Sequence, residues 1–182
     1  GESLKLHQAD IVEFVRYIGS GFKELATNRS IKFSIESECP GMNIWFDDTK
    51  MQRILNNIYS NAFKFTPDGG LISTIVATEK KDEKIFVRIE ISDTGCGISE
   101  KDLNVIFDRF YQSEPIPGVT GSGIGLHMVK EYVSLHNGKI EVHSKIGVGT
   151  TFLIYIPSDL KGDDSESKVP AMSPDVEEKV VY

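Results

Sequence analysis

Residues 84–97 read KIFVRIEISDTGCG, and the fold is decided there. Ile85, Val87, Ile89 and Ile91 alternate as in a strand with one buried face, and Asp93 keeps their parity, so its carboxylate falls on the apolar side. A carboxylate buried without a donor costs several kcal/mol or takes up a proton. The strand offers no obvious donor, whereas the amino group of a ligand would serve. Gly95 and Gly97 follow, residues that let a backbone approach a flat ring closely and adopt positive φ. Asp-Thr-Gly is also a common Asx-type turn, so taken alone the motif fits a plain loop equally well.

Working outward, Leu71 to Thr78 alternates as a second strand, joined to Lys84–Asp93 through the charged run Glu79 to Glu83, which marks a hairpin. Before it, Thr49 to Phe65 reads as a helix with the apolar stripe Ile54, Ile58, Ala62 and Phe65, capped by Asp47 or Asp48 and stopped by the run Thr66 to Gly70. Further upstream, Leu4, Leu6 and Gln8 begin a short alternating segment. Asp10 caps one helix carrying Ile11, Phe14, Val15, Ile18, Phe22 and Leu25 and ending near Asn28. Strands at Ile31 to Ile35 and Asn43 to Phe46 flank the Pro40-Gly41 turn.

Downstream, Ser99 to Phe110 reads as helix and Gln112 to Ser122 as a mobile loop. Gly123 to Leu135 is a helix with Ile124, Met128, Tyr132 and Leu135 on one side, and Lys139 to Ser144 with Thr150 to Pro157 is a last hairpin. Hairpins interleaved with three main helices predict an α+β fold: a two-layer α/β sandwich whose mixed, mostly antiparallel sheet carries the helices on one face. Residues 1–157 form that domain. Residues 158–182 hold seven acids against three lysines, with Pro170 and Pro174, and read as a disordered acidic linker or the start of a following domain.

Two further motifs carry chemistry. Asn57, Asn61 and Lys64 stack along one edge of their helix, two amides whose oxygens can hold Mg²⁺ and an ammonium that can neutralise phosphate. The same three residues also suit an ordinary solvated edge. Gly121-Ser122-Gly123-Ile124-Gly125 opens the last helix, where free amides and the positive helix end suit a phosphate chain. It is neither a Walker motif, lacking Gly-Lys-Ser/Thr, nor a dinucleotide fingerprint, since it follows a loop.

Composition narrows the function. With 182 residues, 40% of them hydrophobic, the chain holds one sizeable core. The formal charge of −7 without a Lys/Arg cluster opposes binding to nucleic acid or to an anionic membrane. Cys39 and Cys96 fit no metal spacing and are expected to be free thiols. No stretch reaches the roughly 20 apolar residues of a membrane span, so the piece is expected to be soluble and to make no direct membrane contact.

Taken in order, the motifs resemble the Bergerat-type ATP-binding fold of histidine kinases, over about Leu4 to Pro157. Asn57 to Thr66 looks like the N box, Asp93 to Gly97 the first glycine box, Phe107-Asp108-Arg109-Phe110 the F box, Gly121 to Leu126 the second glycine box and Gly147 to Thr150 the third. The resemblance implies that Asn61 coordinates Mg²⁺, that Asn57 supports the metal and phosphate end, and that Lys64 contacts phosphate. Asp93 then accepts from the adenine amino group, Gly95 and Gly97 admit the base, and Thr150 helps a water bridge Asp93 to adenine. Gln112 to Ser122 is implied as the ATP lid, anchored by Phe107 and Phe110, with Ser122, Gly123, Ile124, Gly125 and Leu126 at the phosphates.

Two positions depart from that pattern. The lid has no lysine or arginine, which leaves Arg109 as the nearest basic candidate for the γ-phosphate. His127 stands where the family has a small residue, and a partly buried helix histidine is expected. Of His7, His127, His136 and His143, none is followed by Glu-x-Arg/Lys, so the phosphoacceptor histidine is expected on a separate dimerisation domain of the same parent. The implied partners are that domain and a response regulator or receiver domain, in the phosphorelay of a sensor kinase or hybrid kinase, with this domain in the cytoplasm. Competing readings are a serine protein kinase or ATPase of the same fold, and a docking module that no longer binds ATP.

Overall fold

A computed structural model of the protein describes residues 2–111 and 125–162. The elements are β1 (His7–Asp10), α1 (Ile11–Ser20), α2 (Lys23–Asn28), β2 (Lys32–Ser37), β3 (Asn43–Phe46), α3 (Asp48–Phe65), β4 (Leu71–Lys81), β5 (Lys84–Asp93), α4 (Glu100–Leu103), α5 (Gly125–Leu135), β6 (Lys139–Lys145) and β7 (Gly149–Pro157). Five strands form a sheet in the order β2-β4-β5-β7-β6, and β1 pairs with β3 in a separate ribbon. Only the β2–β4 pair is parallel, because β3 and α3 intervene between those two strands. This is the mixed, mostly antiparallel two-layer sandwich expected. Among the described residues no helix is long and apolar enough to cross a membrane.

The core lies between one face of the sheet and the helices. Ile72, Thr74 and Val76 of β4, Val87, Ile89 and Ile91 of β5, and Phe152, Ile154 and Ile156 of β7 are buried at period two. From α3 come Met51, Ile54, Leu55, Ile58, Tyr59, Ala62 and Phe63, a broader arc than the stripe read from sequence, because α1 and α5 both pack on this helix. Phe65, at its end, is only half-buried. Phe22 stacks on Phe63 with centroids 5.5 Å apart, and Phe33 meets Tyr59 edge-on at 5.6 Å. The buried Tyr59 and Thr74 hydroxyls satisfy each other at 2.7 Å, and burial pushes the tyrosine pKa up to about 12.

Several boundaries differ from the sequence reading, each for a local reason. The single helix expected from Asp10 to Asn28 is two, broken where Gly19, Ser20 and Gly21, three weak helix formers, succeed one another. Ser20 Oγ donates to the Tyr17 carbonyl there, and the bend delivers Phe22 into the aromatic cluster. The β4–β5 hairpin turns on Asp82 and Glu83 alone, both with positive φ, so the rest of the charged run is strand. Ile85, beside that turn, is 48% exposed and leaves the core.

The helix expected over Ser99 to Phe110 is confined to α4. Ser99 caps it through the Asp102 amide, and beyond it Val105 and Asp108 donate three residues back, in turns. On α5 the buried residues are Val129, Tyr132 and Val133, whereas Met128 and Leu135 lie at the core's edge. The lid residues Gln112 to Ser122 and the tail from residue 163 lie outside the described residues, as do Gly121, Ser122, Gly123 and Ile124.

Both ends of α3 are tied down. Asp47 Oδ1 caps the Lys50 amide at 2.9 Å, while Oδ2 accepts from the Lys5 amide at 2.8 Å and from Lys50 Nζ at 3.3 Å. Burial alone would raise the Asp47 pKa, but the two amides and the ammonium outweigh it and hold the carboxyl below its ordinary range. The Asp47 amide donates to Nε2 of His136 at 3.0 Å, and the other ring nitrogen faces the Tyr132 carbonyl at 2.7 Å. Because an amide can only donate, Nε2 must accept, which places the ring proton on Nδ1. His136 is fully buried, and burial lowers its pKa. At the other end, Arg29 donates to the carbonyls of Phe63 and Thr66 and pairs with Asp68 at 2.8 Å.

The His136 linkage has a definite sign. Its folded pKa lies below the unfolded value near 6.5, so the unfolded chain binds more protons once the pH drops below about 6.5, and stability falls with pH in that window. The melting temperature therefore declines between pH 7 and 5.5. His136→Ala, which strands the Asp47 amide and the Tyr132 carbonyl, costs about 2–4 kcal/mol at pH 7 and flattens that part of the profile. An unchanged slope in the variant would assign the pH dependence to another group.

Candidate functional site

The Asn/Lys stripe of α3 is more than a solvated edge, because α5 crosses it. Asn57 and Asn61 are half-buried and line a cleft with Arg53, Asn56 and Ser60 of the same helix and Met128 of α5. Gly125 makes the crossing possible. A Cβ there would stand 2.4 Å from both terminal atoms of the Asn57 amide, so only glycine lets the first turn of α5 rest on that side chain. Leu126 packs at the edge of the core.

Lys64 is placed differently from the two asparagines. Its ammonium sits 5.6 Å over the Phe65 ring, and it lines a second cleft with Arg29, Phe65, Thr66, Pro67, Thr94, Gly95, Cys96 and Gly147. The stripe read as continuous in the sequence is thus shared between two clefts, one at the middle of α3 and one at its C-terminal end.

Asp93 ends β5 opposite Ile72 on one side and Thr150 on the other. Its Oδ1 accepts from the Gly95 amide at 2.8 Å, so the inward carboxylate and the Asx-type turn coexist. Burial raises its pKa, against the lowering effect of the Gly95 and Thr150 amides. The surrounding glycines allow approaches no side chain would permit. A Cβ on Gly95 would lie 2.8 Å from Asp93 Oδ1 and from the Phe65 carbonyl oxygen, and one on Gly97, at φ +76°, would lie 2.2 Å from the Lys145 carbonyl oxygen. Phe65 is joined to the loop directly, since its carbonyl accepts from the Cys96 amide at 3.3 Å. Thr150 is buried, with its hydroxyl 2.8 Å from Ser144 Oγ, and Ser144 also accepts from the Ile98 amide at 2.8 Å. Thus Asp93, Gly95, Gly97 and Thr150 converge at one end of the sheet.

The Phe107–Phe110 segment divides. Phe107 is half-buried, its carbonyl 3.1 Å from His127 Nδ1 and its ring 5.8 Å below the Lys130 ammonium, which ties it to α5. Phe110 is 64% exposed at φ +65°, with the Arg109 guanidinium 5.0 Å over its ring. His127 is partly buried, as expected, and its Nε2 lies 3.1 Å from Glu131. Cys39 and Cys96 are free thiols. Among the described residues no three His, Cys, Asp or Glu side chains cluster as a metal site, and the side-chain oxygen donors lining the first cleft are the amides of Asn56, Asn57 and Asn61 and the Ser60 hydroxyl.

Arg53 and Ser144 had drawn no attention in the sequence as site residues, and Met128 had been read only as part of the apolar side of its helix. Arg53 had a signal, being one turn before Asn57 on the same face. Met128 and Ser144 had none, because their places depend on the crossing of α5 and on the β6–β7 register.

Residues 46–160 match the family model described as histidine kinase-, DNA gyrase B- and HSP90-like ATPase. "Histidine kinase P4" of Formosa agariphila is 35% identical over 160 residues, covering 85% of this chain and 11% of that protein. "Hybrid signal transduction histidine kinase D" of Dictyostelium discoideum is 37% identical over 163 residues, covering 85% of this chain and 10% of its own length. The chain thus spans about a tenth of these relatives. Among solved structures, the catalytic domain of histidine kinase ThkA superposes with a TM-score of 0.74 at 23% identity, over 85% of this chain and 99% of that one. ShkA in complex with AMPPNP superposes with a TM-score of 0.73 at 26% identity, over 86% of this chain and 32% of that one. The family model covers more than half of the chain, which belongs to the histidine kinase-, DNA gyrase B- and HSP90-like ATPases.

Proposed function

We propose that this domain binds Mg·ATP and presents its γ-phosphoryl group to a histidine on a separate dimerisation domain, as part of two-component signalling. Asp93 carries the reading: a carboxylate at a strand end with glycines around it, whose burial outweighs the Gly95 and Thr150 amides and raises its pKa, so that a further donor from a ligand would stabilise it. The adenine amino group is such a donor. Guanine presents a carbonyl oxygen at the same place, which an ionised carboxylate repels, so the site selects adenine. Gly95 and Gly97 admit the flat base, and Thr150 with Ser144 gives a hydroxyl pair able to hold a water between Asp93 and the ring.

The donor set of the first cleft fits a hard divalent ion. Asn61 and Asn57 offer amide oxygens in a space that a Cβ on Gly125 would close, and Lys64 brings positive charge from the C-terminal end of α3. Mg²⁺, when bound, neutralises charge across the phosphates, and the protein's own part is to hold the chain of phosphates in line for attack. Phe107 moors the segment leading to the expected lid against α5.

The acceptor lies outside the described domain on this reading. His7 and His143 are in strands, His136 is enclosed, and His127 faces Glu131 beside the Phe107 carbonyl, so none stands on a free helical face. A receiver domain following the acidic tail, and a cytoplasmic setting where ATP is available, complete the proposal. The hybrid relative from Dictyostelium discoideum supports the receiver.

The expected outcome is a raised melting temperature with ATP or ADP plus Mg²⁺ and none with GTP, by about 2.7 kcal/mol of added stability at a hundred times the dissociation constant. Asp93→Asn should abolish that shift without lowering the stability of the ligand-free protein. The folded-state pKa of Asp93 is raised, so ionisation above that pKa disfavours the fold, and at pH 7 the amide removes that penalty. A folded wild-type protein that no nucleotide stabilises would make a docking module the better account. Incubated with γ-labelled ATP, the isolated chain should take up no stable label.

A further inference from the structure

We infer that Arg53 is the cation that reads the terminal phosphate of the nucleotide, a role that rests on the ATP-binding reading above and makes the site discriminate ATP from ADP. Arg53, Asn57 and Asn61 are spaced four residues apart on α3, which sets them about 6 Å apart along one side of the helix. All three line the same cleft. The polarity of any ligand there is set by Asp93 and Gly95, which lie against the C-terminal end of α3 through the contacts of the Gly95-Cys96 backbone with Phe65. A base seated at Asp93 therefore sends its phosphates toward the N-terminus of the helix, past Asn61 and Asn57, and the group standing at the far end is Arg53.

The guanidinium is equipped for the task. Nη1 donates to the Tyr132 hydroxyl at 3.2 Å, the one hydrogen bond the arginine makes among the described residues, and no carboxylate there pairs with it. Four of its five N–H donors remain for an anion. Tyr132 is itself buried, with the Lys50 ammonium 5.4 Å over its ring, so the arginine is steered from a fixed point and not from a mobile one. Lys50, the other cation near Tyr132, is paired with Asp47 at 3.3 Å. Lys64 lines the second cleft, Arg109 lies over Phe110, and the stretch from Gln112 to Ser122 contains Glu114 and no lysine or arginine.

The test compares affinities for Mg·AMPPNP and Mg·ADP by calorimetry in wild type, Arg53→Gln, Arg53→Lys and Arg109→Gln, with melting curves to check folding. Arg53→Gln should weaken AMPPNP binding about ten-fold or more while changing ADP binding less than about two-fold, as loss of a charge-assisted contact to one phosphoryl group requires. Arg53→Lys should recover part of the loss and Arg109→Gln should show none. Equal losses for both nucleotides, no loss at all, or the loss appearing in Arg109→Gln would each overturn the assignment. A folded wild-type protein that binds neither nucleotide would overturn the ATP reading itself, an outcome visible before any variant is compared.

Discussion

Everything at the site depends on how helix α3 is held, because one arc of it is core and the adjoining arc is cleft. A rotation or slide large enough to move Asn57 would pull Ile54 and Ile58 out of the close packing beneath. The fold prevents this by fixing both ends from remote parts of the chain. At the N-terminus, Asp47 gathers the Lys5 and Lys50 amides while its own amide goes to His136, at the end of α5. At the C-terminus, Arg29 takes the Phe63 and Thr66 carbonyls that the helix leaves unpaired. The His136 bond matters twice, since it also sets where α5 ends and thereby where its first turn meets Asn57.

Asp93 belongs to a different economy. Its carboxylate accepts from the Gly95 and Thr150 amides, yet burial works against its ionised form more strongly than these bonds favour it. Stabilising residues elsewhere offset it: the aromatic cluster of Phe22, Phe33, Tyr59 and Phe63 and the close-packed faces of β4, β5 and β7. A carboxylate whose burial disfavours its charge thus stands at the cleft end of the sheet, and the packing of the rest of the domain offsets it.

The sequence was most legible where neighbours in the chain decide the outcome. Alternation identified β5 and the inward turn of Asp93, and Asp10, Asp47 or Asp48, and the breaker run after Phe65 marked helix ends that the structure reproduces within a residue or two. Legibility failed where a distant partner decides. His136 reaches Asp47 across 89 residues, and neither position has a periodic or motif signature that predicts the bond. The assignment of Lys64 to one cleft and of Asn57 and Asn61 to another follows from the crossing of α5 and the approach of the Gly95 loop, and helix periodicity contains neither. The break at Gly19 to Gly21 was written in the residues, yet the apolar spacing running through it from Ile18 to Leu25 suited one continuous helix and masked it.

The two ends of the site are built from different materials, and this bears on how phosphoryl transfer can be divided between domains. The base end is backbone and sheet, with Asp93 fixed by strands on both sides and glycines that permit no adjustment. The phosphate end is side chains on one exposed flank of a helix, Asn61, Asn57 and Arg53, facing Met128 across an open cleft. On the proposed ATP-binding reading, a rigid base end would make recognition of adenine independent of any partner. On the same reading, an open phosphate end would leave the last phosphoryl group at the rim, where an incoming imidazole could line up with it without entering the fold. Such a division suits the proposed transfer to an acceptor carried by another domain, since none of the histidines described would then have to stand near the nucleotide.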